Sequence, residues 1–263
     1  RECTSKLLSE AKKNNFVVVI IGHVTKEGML AGPKLLEHIV DTVIQFEGEG
    51  KNSYRILRAT KNRFGNTNEI GIFEMQESGL EEVKNPSELF LSGRDKNISG
   101  SAVTASIEGT RPLLIEVQAL VTPSHFGNPQ RVATGYDYRR LSILLAVLER
   151  RANCKVSSHN VFLNMVGGVR IDEPAADLAI CSAIASSLYD KTCDNNSIIV
   201  GEVGLGGEIR SVGNVEKRIS EAAKLGFKRI IIPASNNKAI KTSNSIQVIS
   251  VDSLSETISV VLK

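Results

Sequence analysis

Phe16-Val17-Val18-Val19-Ile20-Ile21-Gly22-His23 is the stretch that decides the fold class. Phe16 to Ile21 are apolar without alternation and rich in β-branched side chains. That pattern suits a strand buried on both faces, as in a parallel sheet covered by helices. The run stops at Gly22, and His23 stands where strand gives way to loop. In open α/β sheets ligands bind beyond the carboxyl ends of strands, so a polar side chain there reaches a ligand. A capping histidine on a surface loop is the plain alternative. The loop that follows carries Lys26, Gly28, Gly32 and Lys34.

Upstream, Leu7, Leu8 and Ala11 sit at helical spacing and Lys12-Lys13-Asn14-Asn15 reads as a C-terminal stop. Downstream, the pattern predicts a short helix near Pro33–His38 and a strand around Val40–Phe46. Strands at Tyr54–Lys61 and Ile70–Gln76 flank the turn-rich Phe64-Gly65-Asn66-Thr67-Asn68 and read as a hairpin. Lys61 and Arg63 lie two apart at a strand end, so an extended backbone points both cations the same way. Such a pair suits a phosphate; the alternative is a solvated basic hairpin tip. This first unit, residues 1–83, ends before a linker at 84–100, where Asn85-Pro86-Ser87 and Ser92-Gly93-Arg94-Asp95 are turn chemistry.

Residues 101–263 form the second unit, with strands expected at Ser101–Ile107, Leu113–Val121, Val161–Val166, Ile198–Val203 and Arg229–Ile232. Helices are expected at Tyr138–Arg151, Ala175–Tyr189, Val215–Leu225 and Leu254–Leu262. Leu141, Leu144, Leu145 and Leu148 share one face, and Pro174 opens the second helix. Both units are therefore α/β.

The 263 residues, 41% hydrophobic and 23% charged, exclude wholesale disorder. No apolar run approaches the roughly 20 residues of a membrane helix. A net charge of +3 allows a nucleic-acid partner without demanding one. Cys3, Cys154, Cys181 and Cys193 are scattered, which disfavours a zinc site or a disulfide framework and points to a reducing, cytoplasmic setting. Arg1-Glu2-Cys3 leads into a polar helical stretch rather than a signal peptide, and the absence of an initiator methionine suggests a start inside a longer protein.

No G-x-x-x-x-G-K-[ST] occurs; Gly28 to Lys34 fails the spacing and puts Pro33 before the lysine. Nor does an apolar strand end in an aspartate fit to hold magnesium. Gly167–Asp177 and Gly201–Gly213, on spacing alone, are turns between α/β elements. Cys154, His125 and His159 have no spacing that supports Cys–His catalysis. Arg139, Arg140, Arg150, Arg151 and Lys155 flank one helix and read as solvated helix ends that could track a phosphate backbone.

Ile20–Gly28, Gly32-Pro33-Lys34, Leu36-Glu37-His38 and above all Lys61-Asn62-Arg63-Phe64-Gly65 closely resemble the bacterial RadA (Sms) family of DNA repair proteins. The pentapeptide is that family's hallmark, and the resemblance covers essentially the whole chain. It implies that residues 1–83 are the C-terminal part of a RecA-like P-loop ATPase core and 101–263 a Lon-protease-like domain. A four-cysteine zinc finger, the P-loop and the magnesium-binding aspartate would lie upstream. ATP and Mg2+ are the implied cofactors, bound mostly there, with zinc confined to that region and no metal held by this chain. His23 is implied as a γ-phosphate sensor, Lys26 and Lys34 as DNA-binding loop residues, and Lys61 and Arg63 as trans-acting groups on a neighbouring subunit's nucleotide. The implied assembly is a cytoplasmic homo-hexamer around single-stranded or branched DNA, an ATP-driven motor promoting branch migration beside a RecA-type recombinase, with no membrane partner. This chain alone would be inactive.

Gly167–Asp177 and Gly201–Gly213 resemble the proteolytic domain of Lon, which works by a Ser-Lys dyad. Motif on motif, the nucleophile falls on Ala175 and the lysine on Glu216. Lys217 does not replace it, because the next helical residue points about 100° away. Ser182 and Ser186 lie further along the helix and are read as packing or solvated residues. Two other readings remain: a Lon-type peptidase, disfavoured by Ala175 and Glu216, and a non-enzymatic DNA-binding or ring-assembly module.

Overall fold

The computed structural model describes residues 2–22, 36–47, 54–67, 69–95, 97–124, 127–239 and 246–263. Helix α1 (Glu2–Asn14) has Glu2 in its first turn and Lys12 and Lys13 in its last, each complementing the helix dipole. It ends at Asn15, whose φ of 55° is a left-handed cap. The apolar run that follows departs from expectation. Phe16–Ile21 pairs with no strand among the described residues and is exposed, Val17 at 90% and Ile21 at 87%. Hydrophobicity alone makes no strand; a ladder partner must run alongside. His23, Lys26 and Lys34, with the start of the helix expected at Pro33–His38, lie outside the described residues.

Four antiparallel strands form the first sheet in chain order: β1 (Thr42–Glu47), β2 (Tyr54–Asn62), β3 (Ile70–Gln76) and β4 (Gly79–Glu82). The expected hairpin is β2 with β3, where Tyr54 faces Glu74, Ile56 faces Ile72 and Arg58 faces Ile70. β4 is an addition to the sequence reading. Tyr54, Ile56, Ile70 and Ile72 turn one face of this sheet onto the main hydrophobic core. Helix α2 (Pro86–Phe90) follows, with Pro86 in its first turn and the Asn85 side chain accepting from the Glu88 N–H.

In the second unit β5 (Ser101–Glu108) and β6 (Arg111–Pro123) form a hairpin, and the sheet order is β5-β6-β8-β7 with β7 (Arg131–Thr134) parallel to β8 (His159–Met165). Helix α3 (Tyr138–Ala152) is capped by Asp137 and buries Leu141, Leu144, Leu145 and Leu148, the predicted face. A 3-10 turn at Pro174–Ala176 leads into α4 (Asp177–Tyr189), which is buried on every side from Asp177 to Ser186, as a helix through the middle of a core must be.

The strand expected at Ile198–Val203 divides into β9 (Ser197–Ile199) and β10 (Glu202–Val203), which belong to different sheets. The bend lies at Gly201, whose N–H donates to the Ala175 carbonyl at 2.9 Å. A Cβ on Gly201 would sit 2.7 Å from Ile209 Cγ2, so only glycine fits this turn. β10 pairs with β11 (Ile209–Arg210). After α5 (Val215–Lys224), strands β12 (Arg229–Pro233) and β13 (Gln247–Val251) join β9 in a parallel sheet of order β13-β12-β9, and α6 (Leu254–Val261) closes the fold.

Phe90 is 1% exposed and meets Tyr54 edge-on, ring centroids 6.1 Å apart. Phe90→Ala is expected to cost about 3–5 kcal/mol, read as a lowered urea midpoint with an unchanged slope.

Candidate functional site

The turn at the end of β2 is built by Asn62. Its side-chain oxygen accepts from the Phe64 N–H at 3.3 Å and from Thr42 Oγ1 at 3.4 Å, and its Nδ2 donates to the Asn66 carbonyl at 3.3 Å. Gly65 lies against it, since a Cβ there would come within 2.8 Å of Asn62 Nδ2. Phe64 is left 86% exposed at the tip.

Lys61 and Arg63 both turn toward residues 37–41. The Lys61 ammonium donates to the carbonyls of Glu37 at 2.6 Å, Val40 at 2.9 Å and His38 at 3.4 Å. These include the free carbonyls that follow the helical turn at Leu36–Glu37, the natural seat for a cation. Arg63 pairs with Asp41 at 3.1 Å while its side chain stays 49% exposed. The two cations thus differ. Lys61 is tied to backbone, whereas among the described residues the Arg63 side chain is held by the part-exposed Asp41 carboxylate.

The second candidate region centres on Ala175, which is buried and has no hydroxyl to offer. Glu216 stands exposed in the first turn of α5, and Lys217 donates to the Thr110 carbonyl at 3.3 Å. Two charged clusters flank Ala175 instead. At residue 173, the Glu173 carboxylate binds the Arg218 guanidinium and accepts from the Ile107 N–H at 2.8 Å. Arg218 is fully buried and also donates to the carbonyls of Gly213 and Ala105. At residue 177, the buried Asp177 accepts from Tyr136, Arg140 and the Val203 N–H. Burial, reinforced by Asp177, pushes the Tyr136 phenol far above its ordinary value, so it remains a donor.

Ser182 and Ser186 pack as expected, donating to the carbonyls of Leu178 and Lys191. Burial raises the Cys154 thiol above its ordinary value against the opposing hydrogen bond from the Tyr189 hydroxyl, and His159 meets Ser158 rather than a cysteine. His125 lies outside the described residues. Of the basic set around α3, Arg139, Arg150, Arg151 and Lys155 are exposed, but Arg140 is committed to Asp177. Among the described residues no group of three or more His, Cys, Asp or Glu is placed to hold a metal, and no helix is long and apolar enough to cross a membrane.

The residues that sequence reasoning missed are Asn62, Asp41 and the Glu173–Arg218 pair. One signal for the last was present. Val215, Arg218, Ile219 and Ala222 follow the i, i+3, i+4, i+7 pattern of a buried helix face, so Arg218 falls on the core stripe.

Residues 149–263 match the family of the Lon protease (S16) C-terminal proteolytic domain. Over the whole chain, similarity extends to proteins named DNA repair protein RadA. The relative from Halalkalibacterium halodurans is 53% identical over 262 residues, 100% of this chain and 57% of that protein. That from Bacillus subtilis is 55% identical over 256 residues, 97% of this chain and 56% of that protein. That from Streptococcus pneumoniae is 54% identical over 256 residues, 97% and 61%. The chain therefore spans somewhat more than half the length of the curated relatives it matches.

Arg218→Ala removes the partner of a largely buried carboxylate and opens a void, and is expected to cost about 3–5 kcal/mol in urea unfolding. Lys217→Ala, one residue away and exposed, should stay within about 0.5 kcal/mol. Peptide hydrolysis should be absent from the unmodified chain and from Ala175→Ser alike, because the position matched to the lysine base holds Glu216 and Lys217 is turned to the Thr110 carbonyl. Reproducible casein cleavage by protein free of contaminating protease would overturn that reading.

Proposed function

Because this chain belongs to the RadA family of DNA repair proteins, of which it carries the C-terminal part, we propose that it serves DNA repair and recombination as part of an ATP-driven DNA motor. In this reading residues 1–83 complete a RecA-like core and the Lon-like domain is a scaffold without peptidase chemistry. The motor is a cytoplasmic homo-hexamer that acts on single-stranded and branched DNA, promotes branch migration and works beside a RecA-type recombinase.

The observation that carries the proposal is the ordered turn at the end of β2. Arg63 sits on a fixed backbone, half exposed, and among the described residues its side chain is restrained by the ion pair with Asp41. Exposed pairs of this kind contribute only about 0–1 kcal/mol, so a phosphate can displace Asp41. The residues present fit a nucleotide cradled elsewhere: this sequence has no phosphate-binding loop, but it offers a guanidinium at a strand end. ATP with Mg2+ would supply the phosphoryl transfer. Arg63 would set its fork on a phosphate held by the neighbouring subunit, and Lys61 would keep residues 37–41 and the strand end in one arrangement. His23 as a γ-phosphate sensor and Lys26 and Lys34 as DNA contacts belong to the same reading.

In a full-length family member carrying these residues, Arg63→Ala should lower DNA-stimulated ATP hydrolysis by about 10³-fold. Ring assembly, followed by light scattering, should persist. Lys61→Ala should lower turnover as well, through loss of its three carbonyl contacts. Wild-type turnover in Arg63→Ala would remove the trans-acting role.

A further inference from the structure

β2 carries the basic turn at one end and is fastened to the linker helix α2 and to the second unit along the rest of its length. Tyr54 packs edge-on against Phe90 of α2, with an interplanar angle of 84°. Ile56 and its partner across the ladder, Ile72, enter the main core. Between these apolar contacts and the turn lies an ion pair: Arg58 donates to Glu108 Oε2 at 2.9 Å, with side-chain exposures of 30% and 11%. Glu108 is the last residue of β5, in the second unit. Burial holds its carboxyl above the ordinary range against the opposing pull of Arg58. The Gly109–Thr110 turn that follows joins in, because Thr110 Oγ1 donates to Glu69 Oε1 at 3.1 Å and the Thr110 carbonyl accepts from Lys217.

Arg58 is three residues before Lys61 and five before Arg63. A strand rises about 3.3 Å per residue, so the ion pair anchors β2 some 10 Å along the backbone from Lys61. Arg58 also faces Gln45 of β1 and Ile70 of β3, so the anchored position is laced into the ladder on both sides. Beyond Arg58, β2 pairs with β1 alone and across a register shift at Val43–Ile44, so the ion pair holds the last position laced on both sides before the turn. The sequence gives the pair no local signature, since Arg58 and Glu108 are fifty positions apart.

We propose that Arg58 and Glu108 are positioning residues for the reaction assigned to Arg63. They lock β2 to the Lon-like domain, so that domain sets the orientation in which the Asn62–Asn66 turn is presented. The inference rests on the trans-acting reading of Arg63. It gives the scaffold domain a specific task, that of the frame against which the arginine is aimed. Neither residue belongs to the Asn62–Asn66 turn that presents Arg63, so their removal should act on kcat and leave KM alone.

The test uses Glu108→Gln, Arg58→Gln and the charge swap Arg58→Glu with Glu108→Arg. In this chain, hydrogen–deuterium exchange should rise about tenfold at residues 61–66 in each single variant, with β8 unchanged. The swap should restore protection. In the full-length protein the single variants should lose up to about 10²-fold in kcat for ATP hydrolysis, the scale of a misplacement near 1 Å, with KM for ATP within about twofold. The swap should recover most of that loss. Wild-type exchange at 61–66, equal loosening of β8, unaltered kcat or a swap no better than the singles would each overturn the positioning role. Arg63→Ala run in parallel separates the two readings: if it leaves turnover intact while Glu108→Gln loosens the turn, the trans-acting assignment fails and the mechanical link stands alone.

Discussion

A guanidinium with no access to water sits at the centre of the second unit, and the arrangement around it depends on its being fully paired. Arg218 binds Glu173 and two carbonyls, and Glu173 in turn takes the Ile107 N–H. One interaction thereby ties α5, the edge of β5 and the turn entering α4. Desolvating such a charge costs several kcal/mol, which is offset only when every donor finds an acceptor. Asp177 repeats the device four residues on, joining α4 to α3 through Arg140, to the segment before α3 through Tyr136 and to β10 through the Val203 N–H. Between them stands Ala175. Where a Ser-Lys peptidase needs a nucleophile and a mobile base, this chain has crosslinked its backbone from both sides.

Much of the architecture was legible because periodicity and burial agreed. α3 follows its leucine stripe, and the β5–β6 hairpin and the β2–β3 pairing come where strand-forming runs flank turn residues. The failures have physical causes. Phe16–Ile21 carries the composition of a buried strand, yet composition names no neighbour. Ile198–Val203 looks continuous, but the approach of Ala175, Leu178 and Ile209 to Gly201 bends it into two sheets. Arg218 occupies a core position that polarity alone assigns to solvent.

The stretch 84–100 shows how turn chemistry differs from slackness. Ser87 accepts from the Leu114 N–H and donates to Glu221, Arg94 reaches Asn195, and Ser99 reaches Asp190. Gly100, at φ 85°, receives the Ala119 N–H on its carbonyl, and a Cβ there would fall 2.2 Å from the Ala119 oxygen. Asparagine, proline, serine and glycine redirect the chain here while their side chains and backbone fasten it. Of the basic turn, the residue types and their spacing could be read directly. Their unequal commitment could not, because the carbonyls of Glu37, His38 and Val40 that hold Lys61 have no side-chain signature.

Two β-forming segments meet water in opposite ways. β4 closes its side of the first sheet with Glu81 and Glu82, charges that discourage another strand from docking. Phe16–Ile21 has no such guard within it: Val17, Val19 and Ile21 stand at 90%, 82% and 87% exposure on alternate positions, and the run contains neither charge nor proline. Short, uncharged, β-branched segments of this kind are templates for intermolecular stacking. Lys12 and Lys13, at the end of the preceding helix, supply the nearest electrostatic repulsion, and salt screens it. From Val17 to Ile21 the chain thus has no ladder partner among its described residues, and the stretch is open to one supplied from outside them.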